Sequence, residues 1–312
     1  MSPNDNSTTY HIPALLSRTI EGLDIHPDGV YADATFGGGG HSRAILAQLG
    51  RDGRLYGFDR DTDAMVNIPE GDDRFTFVLS NFKYMRNFMR YYGIEKFDGI
   101  IADLGVSFHH FDDASRGFSF REDAPLDMRM NRNAAQSAKD IINGADESKL
   151  AEILRLYTDL KNSRQIAAAI ARRRLLSPIE TTGQLTETVT PLLNPRNVKK
   201  ELAQVFQALR IAVNDEMGAL EQFLSSTPEM LRKGGRLAVL TYHSIEDRMV
   251  KNFMRTGNIA GIQDKDFFGV AKTPWKLITR TPITADAEEV ERNPRARSAK
   301  LRIAQFNPTD NG

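Results

Sequence analysis

Apolar residues in the first third of the chain come in short runs separated by amphipathic segments. Residues 30–35, 54–59, 75–79 and 97–104 read as strands, and residues 41–49, 61–68 and 83–92 between them carry helical spacing. This alternation predicts a parallel sheet with right-handed crossovers. It stops after Leu104. Residues 105–133 mix Gly, Asp, Arg and Phe without a period, which predicts a long structured loop of the kind that usually carries function. From about Asp140 the pattern turns helical, over 149–157, 163–176 and 181–192. Leu202, Val205, Phe206, Leu209, Val213, Leu220 and Phe223 then step by threes and fours along one longer helix expected to lead back to the sheet. Strand character returns at 236–242, a helix follows at 245–254, and 275–279 with 300–305 form a candidate antiparallel pair. The expected architecture is α/β. One sheet domain, built from residues 1–107 and 201–312, is interrupted by a helical insertion over 108–200.

Polar residues sit at telling places in this pattern. The first strand carries Asp33 and breaks into Gly37-Gly38-Gly39-Gly40 before a helix-like segment starts at His41. Glycine admits positive φ and lets a ligand approach the backbone without meeting a Cβ. A strand, a glycine turn and a helix are how an α/β sheet builds a nucleotide pocket. The second strand ends in Asp59, about 20 residues past the glycines, the usual separation for a carboxylate on ribose hydroxyls. Together these features point to an adenosine-containing cofactor. A dinucleotide calls for G-x-G-x-x-G with pyrophosphate on a helix N-terminus. Here the glycines are contiguous, and the third small position would fall on Ser42 or Arg43. S-adenosylmethionine has a sulfonium cation and no pyrophosphate, so an acid such as Asp33 suits it. The local pattern favours the methyl donor and leaves the nicotinamide reading open. Asp103 ends the fourth strand, where ligands of open α/β sheets bind. Either it joins Asp33 and Asp59 at one sheet edge, or it merely caps a turn.

Composition narrows the partners. The 312 residues are 40% hydrophobic and 26% charged, as in an ordinary soluble protein, with a formal net charge of zero. Any nucleic acid must therefore be held by a local basic face. Arg292, Arg295, Arg297, Lys300 and Arg302 form one such run with no acid among them, and Arg172-Arg173-Arg174 a second. The loop adds Arg116, Arg121, Arg129 and Arg132 among Phe111, Phe118 and Phe120. The same stretch would also suit a packed loop in which Asp112, Asp113, Glu122, Asp123 and Asp127 pair the arginines. There is no cysteine, which excludes disulfides, thiolate metal sites and a cysteine nucleophile for attack on a pyrimidine C6. No metal-ligand cluster stands out. No apolar run approaches the roughly 20 residues that span a bilayer, and residues 1–10 are polar, expected to fray. A cytoplasmic location without membrane contact is the expectation.

Eight segments then match a known pattern in order: His11-Ile-Pro-Ala-Leu-Leu16, Asp33-Ala-Thr-Phe-Gly-Gly-Gly-Gly-His-Ser42, Asp103-Leu-Gly-Val-Ser107, Arg116-Gly-Phe-Ser-Phe120, Pro125-Leu-Asp-Met-Arg-Met130, Phe206-Gln-Ala-Leu-Arg-Ile211, His243-Ser-Ile-Glu-Asp-Arg248 and Asn293-Pro-Arg-Ala-Arg-Ser-Ala-Lys-Leu-Arg302. Over nearly its whole length the chain resembles the bacterial ribosomal RNA small subunit methyltransferase H family. The resemblance implies a Rossmann-like class I methyltransferase sheet with a helical substrate-recognition insertion. It also implies S-adenosylmethionine-dependent methylation of the exocyclic N4 of a cytidine in the decoding region of 16S ribosomal RNA. Cofactor contacts would fall on Gly39, Gly40, His41, Asp59, Phe82, Asp103 and His110. The family usually has Gln at position 110, a basic approach to Phe206 where Leu202-Ala-Gln-Val205 stands, and Ser-Phe where this chain has Thr241-Tyr242.

Cytosine N4 is a poor nucleophile because its lone pair is delocalised into the ring, so positioning supplies much of the rate. Asp103, with the carbonyls of Leu104 to Val106, is the expected hydrogen-bond acceptor for the amine. His243, just past another strand end, is the second catalytic candidate, or else a helix-start histidine bonding Asp247. The base must be splayed out of the RNA. Tyr242 or Phe108 would stack on it, unless the ring is simply core. Arg116, Arg129, Arg295, Arg297 and Lys300 are the expected RNA contacts, on 16S ribosomal RNA within the small subunit. A binding protein without turnover, a nicotinamide oxidoreductase and a DNA N4-cytosine methylase are the competing readings, and only the resemblance separates the last.

Overall fold

The computed structural model describes residues 13–105, 113–265 and 272–308. Met1–Gly105 with Ala219–Gly312 form one compact unit, and Val106–Gly218 form another.

The first unit is built on a sheet. Strands β1 (Val30–Asp33), β2 (Arg54–Asp59), β3 (Phe75–Leu79), β4 (Phe97–Asp103) and β5 (Leu231–Thr241) run parallel. Strands β6 (Trp275–Leu277) and β7 (Ile283–Thr284) each pair antiparallel with β8 (Lys300–Phe306), which itself pairs antiparallel with β5. The order is β3-β2-β1-β4-β5-β8-β6 with β7 on β8. Ile100, Ile101 and Ala102 of β4 are fully buried, as expected of a parallel strand covered on both faces. The chain winds from β1 outward through β2 to β3, then crosses to the other side of β1 to form β4. That reversal puts the topological switch point between β1 and β4, whose last residues are Asp33 and Asp103. The α/β sheet and the late antiparallel pair are as the sequence predicts. Helices Leu16–Leu23 and Ala287–Arg292 and the short strand β7 are additions, too brief to show a period.

The second unit packs helices Ala138–Gly144, Glu147–Tyr157, Ser163–Arg174, Thr182–Val189 and Val198–Asn214 around one core. Ser137 and Asp140 close a reciprocal capping box at the start of the first of these helices, and the Thr181 side chain caps the fourth. Two expectations are corrected. Helix Val198–Asn214 buries Leu202, Val205, Phe206, Ala208 and Leu209 in this core, so the unit ends at Gly218 and not at residue 200. The long helix is also two helices. Asp215 takes a left-handed conformation (φ 48°) that closes Val198–Asn214, and Glu216–Met230 follows. Apolar spacing cannot show this break, because Val213 and Leu220 stay two turns apart with or without it. No described helix is long and apolar enough to cross a membrane.

Candidate active site

The glycine turn is a backbone device tied down by β2. Gly37 and Gly39 have φ of 48° and 71°, conformations that a Cβ strains. Gly40 needs its missing side chain for another reason, since a Cβ there would collide with Pro13. Asp59 holds the turn: Oδ2 accepts the Gly37 N–H at 2.8 Å and Oδ1 the Asp61 N–H at 2.9 Å. Asn67 Nδ2 donates to the Gly37 carbonyl at 3.0 Å, while the place of a Cβ at Gly38 has no heavy atom within 4 Å.

At the switch point, acids accumulate with no Lys or Arg paired to Asp33 or Asp103 among the described residues. Asp33 is 1% exposed; its Oδ2 accepts from the Ser42 hydroxyl at 2.7 Å and its Oδ1 from the Thr35 N–H at 3.0 Å. Burial outweighs both bonds and raises its pKa to about 6. Thr35 Oγ1 accepts the Asp103 N–H at 2.6 Å, which joins the ends of β1 and β4. Asp103 keeps about a fifth of its side chain open, yet desolvation raises its pKa to about 7, with Asp33 and Glu246 adding repulsion against the Tyr242 hydrogen bond. Its Oδ1 accepts the Tyr242 hydroxyl at 2.7 Å, and its Oδ2 stands 3.7 Å from His41 Nδ1, too far for a hydrogen bond. His41 is buried, and desolvation lowers its pKa to about 4, so the ring is neutral near pH 7; its Nε2 has no hydrogen-bond partner among the described residues. The site thus offers acceptors and negative potential.

The other predicted residues are placed as follows. Phe82 opens a 3-10 turn capped by Asn81, and its ring meets Phe223 edge-on at 5.2 Å. His243 is the N-cap of helix Ser244–Thr256. Its Nδ1 accepts the Glu246 N–H at 3.4 Å, and its Nε2 lies 3.0 Å from Glu246 Oε1 without aligning as a hydrogen bond. Its partner is Glu246 and not Asp247. Asp247 instead binds Arg302 at 2.7 and 3.2 Å and stands 3.6 Å from Lys300. Nδ1 of His243 is thus engaged in holding a helix start, while Nε2 has no hydrogen-bond partner among the described residues. His110, Phe108, Phe111, Asp112, Val106 and Ser107 lie outside the described residues, as do residues 1–12.

The basic candidates divide. Arg116 is 4% exposed and donates to the carbonyls of Arg129 and Met130, so it clasps the loop and does not face solvent. Arg129 forms a bidentate pair with Asp127 at 2.8 Å. Phe118 is core and Phe120 packs edge-on against Phe206. The packed reading of this loop is the one observed. Arg302 is buried on Asp247, which breaks the C-terminal basic run, whereas Arg295 and Arg297 are exposed and Lys300 is half-exposed. Three contributors are absent from the sequence-based site: Thr35, Ser42 and Glu246. Ser42 sits beside the glycine turn, and Thr35 two residues past Asp33, so local spacing could have flagged both. Glu246 bonds His243 and the Tyr242 N–H, three and four residues back, so helix-start spacing could have flagged it too, while its approach to Asp103 is tertiary.

A model of the MraW methylase family matches residues 8–307. A Bacteroides thetaiotaomicron protein named Ribosomal RNA small subunit methyltransferase H is 57% identical over 297 residues, covering 95% of this chain and 97% of its own. One of the same name from Parabacteroides distasonis is 56% identical over 302 residues, covering 96% and 99%. Among solved structures, an rRNA methylase from Streptococcus thermophilus superposes with a TM-score of 0.39 at 11% identity, covering 94% of this chain and 93% of that one.

Proposed function

Since the chain belongs to the MraW methylase family, we propose that it methylates the exocyclic N4 of a cytidine in the decoding region of 16S ribosomal RNA. The relatives' names support small-subunit ribosomal RNA as substrate. The methyl donor is S-adenosylmethionine, and the residues present fit it. The turn at Gly37–Gly40 leaves its backbone approachable, Asp59 ends β2 beside that turn as a carboxylate for ribose hydroxyls, and Asp33 and Asp103 supply negative potential for a cation. When bound, the cofactor supplies a methyl group on an electron-poor sulfonium. Gly39, Gly40, His41, Asp59, Phe82 and Asp103 are the residues we assign to hold it, together with His110.

The observation that carries this reading is Asp103, partly open, at the switch point, with one oxygen that accepts no hydrogen bond among the described residues. That oxygen accepts an N4 proton, which favours a pyramidal nitrogen whose lone pair is withdrawn from the ring. Proton loss then completes the exchange, and Asp103 is the nearest acceptor. Only the ionised carboxylate can do this, so turnover rises with pH through about 7. Neutral His41 does not compete for the charge. Exposed Arg295 and Arg297, with Lys300 and Arg129, are the residues we assign to phosphates, and the helical unit Val106–Gly218 to recognition of the small subunit in the cytoplasm.

The test is transfer of tritiated methyl to small ribosomal subunits lacking the modification. Label recovered as N4-methylcytidine, and lost in Asp103→Ala, is the expected result. Label on another atom or in another nucleoside overturns the assignment.

A further inference from the structure

The two oxygens of Asp103 are chemically equivalent until something outside the carboxylate distinguishes them. Tyr242 does so: its hydroxyl donates to Oδ1 at 2.7 Å, whereas Oδ2, among the described residues, faces His41 Nδ1 at 3.7 Å. The tyrosine is held from three directions. Its residue follows β5, whose Leu240 pairs with Asp103 and accepts the Leu104 N–H at 3.0 Å. Its own N–H donates to Glu246 Oε2 at 3.0 Å. Its ring lies against Gly105, where a Cβ would stand 3.0 Å from Cδ2 and where φ is 128°. A ring fixed along the Asp103-Leu104-Gly105 backbone delivers its hydroxyl to one oxygen and no other.

We infer that Tyr242 is a positioning residue for methyl transfer: its hydroxyl pins Oδ1 of Asp103 and leaves Oδ2 as the atom that takes the amine proton. This rests on the reading of Asp103 given above. When the N–H electron pair stays on nitrogen and the proton arrives on Oδ2, Oδ1 becomes a carbonyl oxygen, and Tyr242 can keep donating to it. The bond therefore survives both protonation states, and the carboxyl does not need to rotate. Asp33 of β1, His41 beside the glycine turn and Glu246 of helix Ser244–Thr256 surround Asp103, while Glu246 and Glu289 face Tyr242. Burial first, and then these acids, hold the Tyr242 hydroxyl well above its ordinary pKa, so it remains a donor wherever Asp103 titrates.

The experiment follows the Asp103 carboxyl by 13C resonance in cofactor-free protein and the pH profile of methyl transfer in parallel. A hydrogen bond to the charged form lowers an acid's pKa, so Tyr242→Phe raises the Asp103 midpoint by about 0.5–1 unit. The acid limb of turnover moves with it, and kcat at pH 6.5 falls about three- to eightfold while KM for the subunit stays within about twofold. Placing 3-fluorotyrosine at position 242 strengthens the donor and shifts both curves the other way. That variant also decides the matter if Tyr242→Phe fails to fold. Midpoints and profiles that coincide with wild type overturn the inference. If Asp103→Asn is inactive while the Tyr242 variants match wild type, only the role of Tyr242 falls. If Asp103→Asn keeps wild-type turnover, the reading of Asp103 falls and takes this one with it.

Discussion

At the ends of β1 and β4, Asp33 and Asp103 are enclosed among other acids and titrate at about 6 and about 7, both far above the ordinary carboxylate range. Along residues 113–140 the aspartates go the other way. Asp113 is lowered by its hydrogen bond to Ser115, Asp140 by its bonds to Ser137, and Asp127, despite burial that raises it, by the Arg129 guanidinium. Both regions are dense in charge, and both stood out in sequence. What separates them is how each charge is answered. An acid met by an arginine or a capping hydroxyl is stabilising structure, while acids gathered without a cation keep unused potential for a ligand. The contrast sets acids raised by burial in the first region against acids lowered by their partners in the second.

Asp103→Ala breaks the comparison hardest. It should cut methyl transfer about a thousandfold, while isothermal titration still detects S-adenosylmethionine binding to the folded protein. Arg116→Ala should do the opposite. Removing the clasp on the Arg129 and Met130 carbonyls should cost about 2–4 kcal/mol in urea unfolding, with turnover of the remaining folded enzyme within about twofold. Asp103→Asn sharpens the electrostatic side. An acid whose folded pKa is raised contributes stability that is fully present below its unfolded pKa and is lost as pH rises through the folded value. For Asp103 that window runs from the ordinary aspartate value of 3.8 to about 7. The variant should therefore gain melting temperature over wild type at pH 8, by an amount equivalent to about 2 kcal/mol, and lose that advantage near pH 4. The paired Asp127 has the reverse sign: its lowered pKa gives stability above the unfolded value that is lost in acid. The smallest effect belongs to Arg295→Ala with Arg297→Ala. Subunit affinity should drop a few-fold, and the slope of log affinity on log salt should fall by about 1–2, because each phosphate contact releases counterions.

The sheet was legible because parallel strands covered on both faces read as apolar runs, as Ile100-Ile101-Ala102 does. The site's skeleton was legible for a related reason. Asp33, Asp59 and Asp103 each end a strand, and strand ends at a switch point share one edge. The reach of the second unit was not legible. The apolar face of Val198–Asn214 shows that the helix packs but not against which core, so its burial beside the other helices had no sequence signature. Arginine was misread in the same way. Arg116 and Arg302 look like surface charge until their partners, two carbonyls and Asp247, arrive from elsewhere in the fold. Tyr242 could be read only as core or as a stacking ring, since its hydroxyl finds Asp103 from 139 residues away.

The most direct measurement is a carboxyl titration of the cofactor-free protein with 13C-labelled aspartate, resonances assigned by single substitution. Asp33 and Asp103 are expected to titrate near 6 and near 7, while Asp113 and Asp127 titrate below the ordinary aspartate value of 3.8. An Asp103 that titrates in the ordinary carboxylate range, alongside the loop aspartates, would contradict this expectation.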